Sequence, residues 1–303
     1  MSCSNALGGI AWRCLLTLGA ALVAGALLIG CHREPVNAPI AFLAQADDHW
    51  QVWWIKTPGA PPARLGHMPE DVSRMSWFPD GKSLLINVED GHWFKLDTAT
   101  GEASAIKTPA DGIFDAVVSP DGKRIAYSVS MGSSTDRNDI WTVDVATGAT
   151  QKITAMPGLQ HEPTWSRDGQ SLYFLSGQGG PSHDIWRVDI ASRAVTQMTV
   201  NDLFHFDVAV REDGAIAYSS NRGGNYDLWL LRNGGEPERL TDDAALDARP
   251  SWSADGQRLV FESTREGASD LWSYDLSSKA ITRLTTMPGG ARMPVWAPAG
   301  GGR

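Results

Sequence analysis

Six short segments of the chain carry the residue types that do chemistry. They read Asp71-Val72-Ser73-Arg74, Phe114-Asp115, Gln160-His161-Glu162-Pro163, His205-Phe206-Asp207, Asp247-Ala248-Arg249-Pro250 and Ala291-Arg292-Met293-Pro294. Each opens a strand-like run. His161, Glu162, His205, Asp207 and Asp115 are types that ligate a metal or act as general acid and base, and Arg249 and Arg292 are types that clamp a carboxylate or phosphate. The competing role is structural, since polar side chains line any solvated channel and pair with one another. His-Glu-x-x-His, Cys-x-x-Cys, a Walker loop and Gly-x-Ser-x-Gly are absent, and Gly177-Gln178-Gly179-Gly180 lies between strands rather than before a helix. Asp136, Asn138 and Asp139 lack the alternating oxygens and glycine of a calcium loop. A binding mouth made of His161, Glu162, Asp207, Arg249 and Arg292 is therefore expected, with no catalytic residue, metal or cofactor assigned.

The elements that position these residues are repeats. One phrase recurs six times: Trp77-Phe78-Pro79-Asp80-Gly81, Val118-Ser119-Pro120-Asp121-Gly122, Trp165-Ser166-Arg167-Asp168-Gly169, Val210-Arg211-Glu212-Asp213-Gly214, Trp252-Ser253-Ala254-Asp255-Gly256 and Trp296-Ala297-Pro298-Ala299-Gly300. Its glycines recur at intervals of 41 to 47 residues, the length of a four-stranded propeller blade. Pro presets φ, Asp bonds its own backbone and Gly takes the positive φ that closes a hairpin. A second strand follows each turn, as in Arg258-Leu259-Val260-Phe261. A third begins Asp139-Ile140-Trp141, Asp184-Ile185-Trp186, Asp227-Leu228-Trp229 or Asp270-Leu271-Trp272. A fourth ends Ile153-Thr154, Met198-Thr199, Leu240-Thr241 or Leu284-Thr285. The third-strand aspartates repeat in four units, which assigns them to structure. Trp53 and Trp54 alternate along one strand, so one is expected in the core and the other exposed.

Before the first turn the chain supplies a second strand (Ile40-Ala41-Phe42-Leu43), a third (Val52-Trp53-Trp54-Ile55) and a fourth-like end (Arg64-Leu65), but no first strand. After the last such phrase, Pro294-Val295-Trp296-Ala297-Pro298, it ends within a few residues. Pairing the two ends completes one blade and removes both free sheet edges. The expected fold is all-β: a six-bladed β-propeller of four-stranded antiparallel blades, closed by its N- and C-terminal strands.

Residues 14–30 form an uncharged run, CLLTLGAALVAGALLIG, that follows Arg13 and ends in Leu28-Ile29-Gly30-Cys31. It reads as an export signal, the alternative being an uncleaved signal anchor, for which seventeen residues is at the short edge. The Leu-Ile-Gly-Cys ending resembles the lipobox of bacterial lipoproteins, which implies cleavage after Gly30 and lipidation of Cys31. Of the three cysteines, Cys3, Cys14 and Cys31, only the last would remain. Residues 1–30 are thus expected to be a cleaved signal, 31–38 a short lipidated tether and 39–303 the propeller. His32, where an aspartate would favour inner-membrane retention, points to the periplasmic side of the outer membrane in a Gram-negative bacterium. With 26 Lys and Arg against 35 Asp and Glu the chain carries a formal charge of −9, so no basic field invites nucleic acid. Its 13 Trp against 5 Tyr match a Trp-bearing unit used repeatedly.

The phrase Arg249-Pro250-Ser251-Trp252-Ser253-Ala254-Asp255-Gly256, with Asp270-Leu271-Trp272, Leu284-Thr285 and Ser220-Asn221-Arg222-Gly223-Gly224-Asn225-Tyr226-Asp227, resembles the repeat of TolB-type propellers over residues 39–303. The resemblance implies a protein-binding module of the cell envelope, with a peptidoglycan-associated lipoprotein as one partner. The small α/β domain that precedes the propeller in TolB has no counterpart here, so contacts to inner-membrane partners do not carry over. Two other readings use the same channel: a propeller lyase or hydrolase acting on a sugar acid or lactone, and a small-molecule sensor.

Overall fold

The recurring turn phrase folds as its residues dictate. In the computed structural model, which describes residues 38–130, 138–178, 182–200, 205–233 and 235–299, Asp80, Asp121, Asp168, Asp213 and Asp255 each accept the backbone N–H two residues on at 2.8 to 3.1 Å. The following glycine donates its N–H back across the turn and adopts a φ of 63° to 82°. An L side chain takes such a φ only with strain.

Among the described residues these turns serve twenty-four strands, β1 to β24, in six four-stranded antiparallel sheets. One blade runs β20 (Asp247–Trp252), β21 (Arg258–Ser263), β22 (Asp270–Asp275) and β23 (Ile281–Arg283) in that order. The closing blade has the order β24 (Ala291–Trp296), β1 (Ile40–Ala46), β2 (His49–Ile55), β3 (Ala63–Arg64), with Ile40 opposite Trp296 and Ala44 opposite Ala291. The N-terminal strand thus enters the ring beside the C-terminal one. The remaining innermost strands are β4 (Val72–Trp77), β8 (Ile113–Val118), β12 (Gln160–Trp165) and β16 (His205–Val210). All six innermost strands start at one face, the mouth face, and run to the other, the turn face, where β4, β8, β12, β16 and β20 end in hairpin turns.

Second strands pack on both sides. Every residue of β5 (Ser83–Val88) and β13 (Ser171–Ser176) is buried, because each blade is sandwiched between two others. The core accordingly lies between blades: Leu85 and Trp93 meet Ile125 and Tyr127, Phe174 joins Ala126 and Ile140, and Phe261 joins Ala217 and Leu228. Burying one such side chain contributes about 1.5–3 kcal/mol. The turn tryptophans stitch neighbours together, with Trp77, Trp165 and Trp252 donating through Nε1 to the carbonyls of Val295, Val117 and Ala209 at 3.0, 3.2 and 3.1 Å. Arg124, Arg211 and Arg258 lie over Trp165, Trp252 and Trp296 at 4.8 to 5.2 Å. Arg211 crosses Gly256 on its way, so a Cβ there would stand 2.8 Å from the arginine chain.

The third-strand aspartates lock the outermost strands. Asp270 accepts the Thr285 hydroxyl at 2.9 Å, the Met287 N–H at 3.0 Å and Arg283 at 2.6 Å. Asp227 does the same with Thr241 and Arg239, and Asp139 pairs with Lys152 at 2.7 Å. A lysine thus already occupies the place of a cation beside Asp139. Trp53 and Trp54 depart from expectation: both are half-buried and both pack against the closing-blade core, so neither is an exposed contact.

Candidate functional site

The third residues of the innermost strands lie at the mouth end of the axial channel, those of β4, β16, β20 and β24 lining its cavity. Around the ring these are Arg74, Asp115, Glu162, Asp207, Arg249 and Met293. The strand register slips at or beside this position in all six blades, which makes it a β-bulge. Five of the six adopt a left-handed φ of 48° to 56°. For residues with a Cβ that conformation is uncommon and persists only where surrounding contacts hold it.

The contacts come from the preceding blade. Asp115 Oδ2 accepts the Glu162 N–H at 3.2 Å, Glu162 Oε2 accepts the Asp207 N–H at 2.9 Å, Ser219 Oγ accepts the Arg249 N–H at 3.3 Å, and Glu262 Oε2 accepts the Met293 N–H at 2.9 Å. Asn87 Oδ1 holds the neighbouring Ala116 N–H at 3.0 Å. One oxygen of Glu162 is therefore committed to the ring itself.

Ion pairs fill the centre. Arg249 reaches Glu262 at 2.7 Å and Asp207 at 3.1 Å, while Arg74 stands between Asp115 and Asp207 at 3.7 and 3.8 Å. Burial and the nearby Glu162 charge push the Asp207 carboxyl up to about 7, against the pull of Arg249 and Arg74. Burial also acts to raise Glu162, but the His161 imidazole and Arg74 hold it at about 2. His161 is raised despite its burial, because it lies 3.6 Å from Glu162. Its Nε2 also meets His183 Nδ1 at 3.0 Å, and burial together with His161 lowers His183.

Of the five residues expected at the mouth, Glu162, Asp207 and Arg249 converge on the axis. His161 sits one position outward and turns to His183. Arg292 stays on the rim, stacked 3.7 Å from the centre of the Trp50 ring. Cys31, the loop at 131–137 and the His205 side chain lie outside the described residues. Arg74, Glu262 and His183 were not singled out by sequence. The available signal was Arg74's place at the head of a repeat, and a lone acid ending the apolar run Leu259-Val260-Phe261-Glu262.

Beneath the charged ring a cavity of about 1100 Å³ extends toward the turn face, walled by Ser76, Thr164 and Ser251. A smaller one of about 260 Å³ opens at the mouth beside Asn87, Glu89 and Phe114. Phe114 is 48% exposed and Leu246 38% exposed on the same face. Among the described residues no group of three or more His, Cys, Asp or Glu is placed to hold a metal ion. The site combines fixed charges of both signs with an exposed aromatic rim, which suits recognition of a polar segment anchored by an apolar contact.

Comparison with known proteins agrees with this architecture. Residues 94–217 and 211–302 match the TolB beta propeller domain. The Tol-Pal system protein TolB of Francisella tularensis is 24% identical over 173 residues, 55% of this chain and 39% of that protein. The chain thus spans about two fifths of those curated relatives. An uncharacterized protein of Agrobacterium fabrum is 30% identical over 230 residues, covering 73% of this chain and 75% of its own. The crystal structure of TolB from Acinetobacter baumannii superposes with a TM-score of 0.76 at 24% identity, over 87% of this chain and 67% of that one. The chain belongs to the TolB β-propeller family.

Proposed function

We propose that this protein is a lipoprotein of the cell envelope whose propeller binds another envelope protein at the mouth face. Residues 1–30 would be removed as a signal, Cys31 would carry the lipid, and the tether to residue 38 would hold the propeller on the periplasmic side of the outer membrane. The observation that carries the binding reading is the preformed ring of Arg74, Glu162, Asp207 and Arg249 beneath an exposed Phe114 and Leu246, in a chain of the TolB propeller family. A closed ring presents these groups without reorganisation, which lowers the entropic cost of association. The name of the Francisella relatives, Tol-Pal system protein, supports a peptidoglycan-associated lipoprotein as the partner. Binding is favoured over turnover because Asp115, Glu162 and Glu262 each spend an oxygen on a backbone N–H. The test is a crosslinking pull-down from envelope membranes with wild type, Phe114→Asp and an Arg249→Ala, Arg292→Ala double variant. Enrichment of one envelope protein by wild type and its loss in both variants is expected. Equal recovery by all three would overturn the site.

A further inference from the structure

The path of the chain into the ring carries a consequence for how the anchored protein stands on its membrane. Ile40 lies opposite Trp296, at the end of β24 that leads into the turns, and Ala44 lies opposite Ala291, at the mouth end. The strand before which the tether ends therefore begins at the turn face. Two further bonds pin the chain there: Trp296 Nε1 donates to the Ala38 carbonyl at 3.1 Å and the Ala297 N–H donates to the Pro39 carbonyl at 2.8 Å. Only seven residue steps separate Cys31 from Ala38. Seven Cα-to-Cα steps reach at most about 25 Å.

To lay the mouth face on the bilayer, that tether would have to pass outward over β2 and β3 and then climb the blade. The outward path is two strand spacings, about 10 Å, and the climb along the seven residues of β1 is about 20 Å before any loop is counted. The tether is too short. The turn-face hairpins expose Asp80, Lys82, Asp121 and Lys123, side chains that stay among headgroups and do not insert. We infer that, given the lipid anchor at Cys31, on which this inference rests, the turn face is apposed to the phospholipid surface. The charged mouth, with Phe114 and Leu246, then points away from the anchoring membrane. The partner would be met as a protein standing off that bilayer, such as a wall-associated domain, and not as one embedded beside the anchor.

The full lipoprotein, reconstituted in phosphatidylethanolamine and phosphatidylglycerol vesicles containing headgroup-nitroxide lipid, tests this. Lys123→Cys places a fluorophore on the turn face and Asp111→Cys places one on the mouth face; both positions are exposed. In the anchored chain Cys31 is acylated, so the introduced thiol is the one that labels. Quenching of the Lys123→Cys label with little loss at Asp111→Cys is the expected result. Equal quenching, or stronger quenching at Asp111→Cys, overturns the orientation. The mass of the N-terminal peptide from the same samples separates the two readings: an unacylated Cys31 refutes the anchor itself, while an acylated Cys31 with reversed quenching refutes only the orientation. Adding about twenty Gly and Ser residues to the tether lengthens its reach enough to release the constraint. The asymmetry should then collapse, and its persistence would contradict the tether argument.

Discussion

The Glu162 carboxylate accepts the backbone N–H of Asp207 at 2.9 Å, so an acid of one blade holds the left-handed bulge of the next. The same residue lies beside His161 and reaches the channel, which makes it both a rivet of the ring and a part of the mouth. Removing the acceptor should therefore cost stability. Glu162→Ala is expected to destabilise by about 1–3 kcal/mol, because it orphans a buried N–H. Glu162→Gln keeps an acceptor oxygen and should lose less. Urea unfolding of the two variants against wild type checks the order.

Glu162 and Asp207 should shape the pH profile in opposite directions. With Glu162 held at about 2, below its ordinary 4.5, its contribution is present above pH 4.5 and is lost as pH falls toward 2. Asp207, raised to about 7 from 3.8, contributes fully below pH 3.8 and loses that contribution as pH climbs through 7. Between pH 5 and pH 8 the wild type should lose stability that Asp207→Asn retains. Denaturant midpoints at the two pH values decide it, and parallel curves would contradict the assignment.

Asp270→Ala should be far costlier than its position near a strand end suggests. The buried carboxylate serves Thr285, Met287 and Arg283 together, and its loss should cost about 2–4 kcal/mol. Asp97→Ala, in an exposed turn, removes only local bonds to residues 99 and 100 and should cost under about 1 kcal/mol. Thermal melts of the pair test the contrast.

Truncation before Ala291 removes β24 and leaves β1 without its partner on one side. An exposed edge of Ile40-Ala41-Phe42-Leu43 should then associate. Oligomers or aggregates in gel filtration are expected, and a monomer with the wild-type melting temperature would contradict the closure account.

Much of this fold was legible because one physical unit repeats. The Asp-Gly turns report hairpins through their own chemistry, and the missing first strand at one end matches the surplus strand at the other. The site was legible only in part. Glu162, Asp207 and Arg249 sit at the same place in their repeats and so were found together. Their bulges were not, since a residue before proline, as Glu162, Arg249 and Met293 are, is ordinarily extended, whereas each takes a positive φ. Glu262 was hidden because a second strand reads as core, and its partners, Arg249 and the Met293 N–H, belong to other strands. Arg292 looked equivalent to Arg249. It differs because Met293 holds the third position of β24, and Arg292, one residue earlier, lies over the face of Trp50 on β2.

Binding of an envelope protein at the mouth face can be measured with purified components. Its most direct test is a calorimetric titration of the purified propeller, residues 31–303, with the purified peptidoglycan-associated lipoprotein of the same bacterium, beside Phe114→Asp. Saturable one-to-one binding by wild type and its loss in the variant are expected, with both proteins melting alike. Absence of binding by wild type, or undiminished binding by Phe114→Asp, would contradict it.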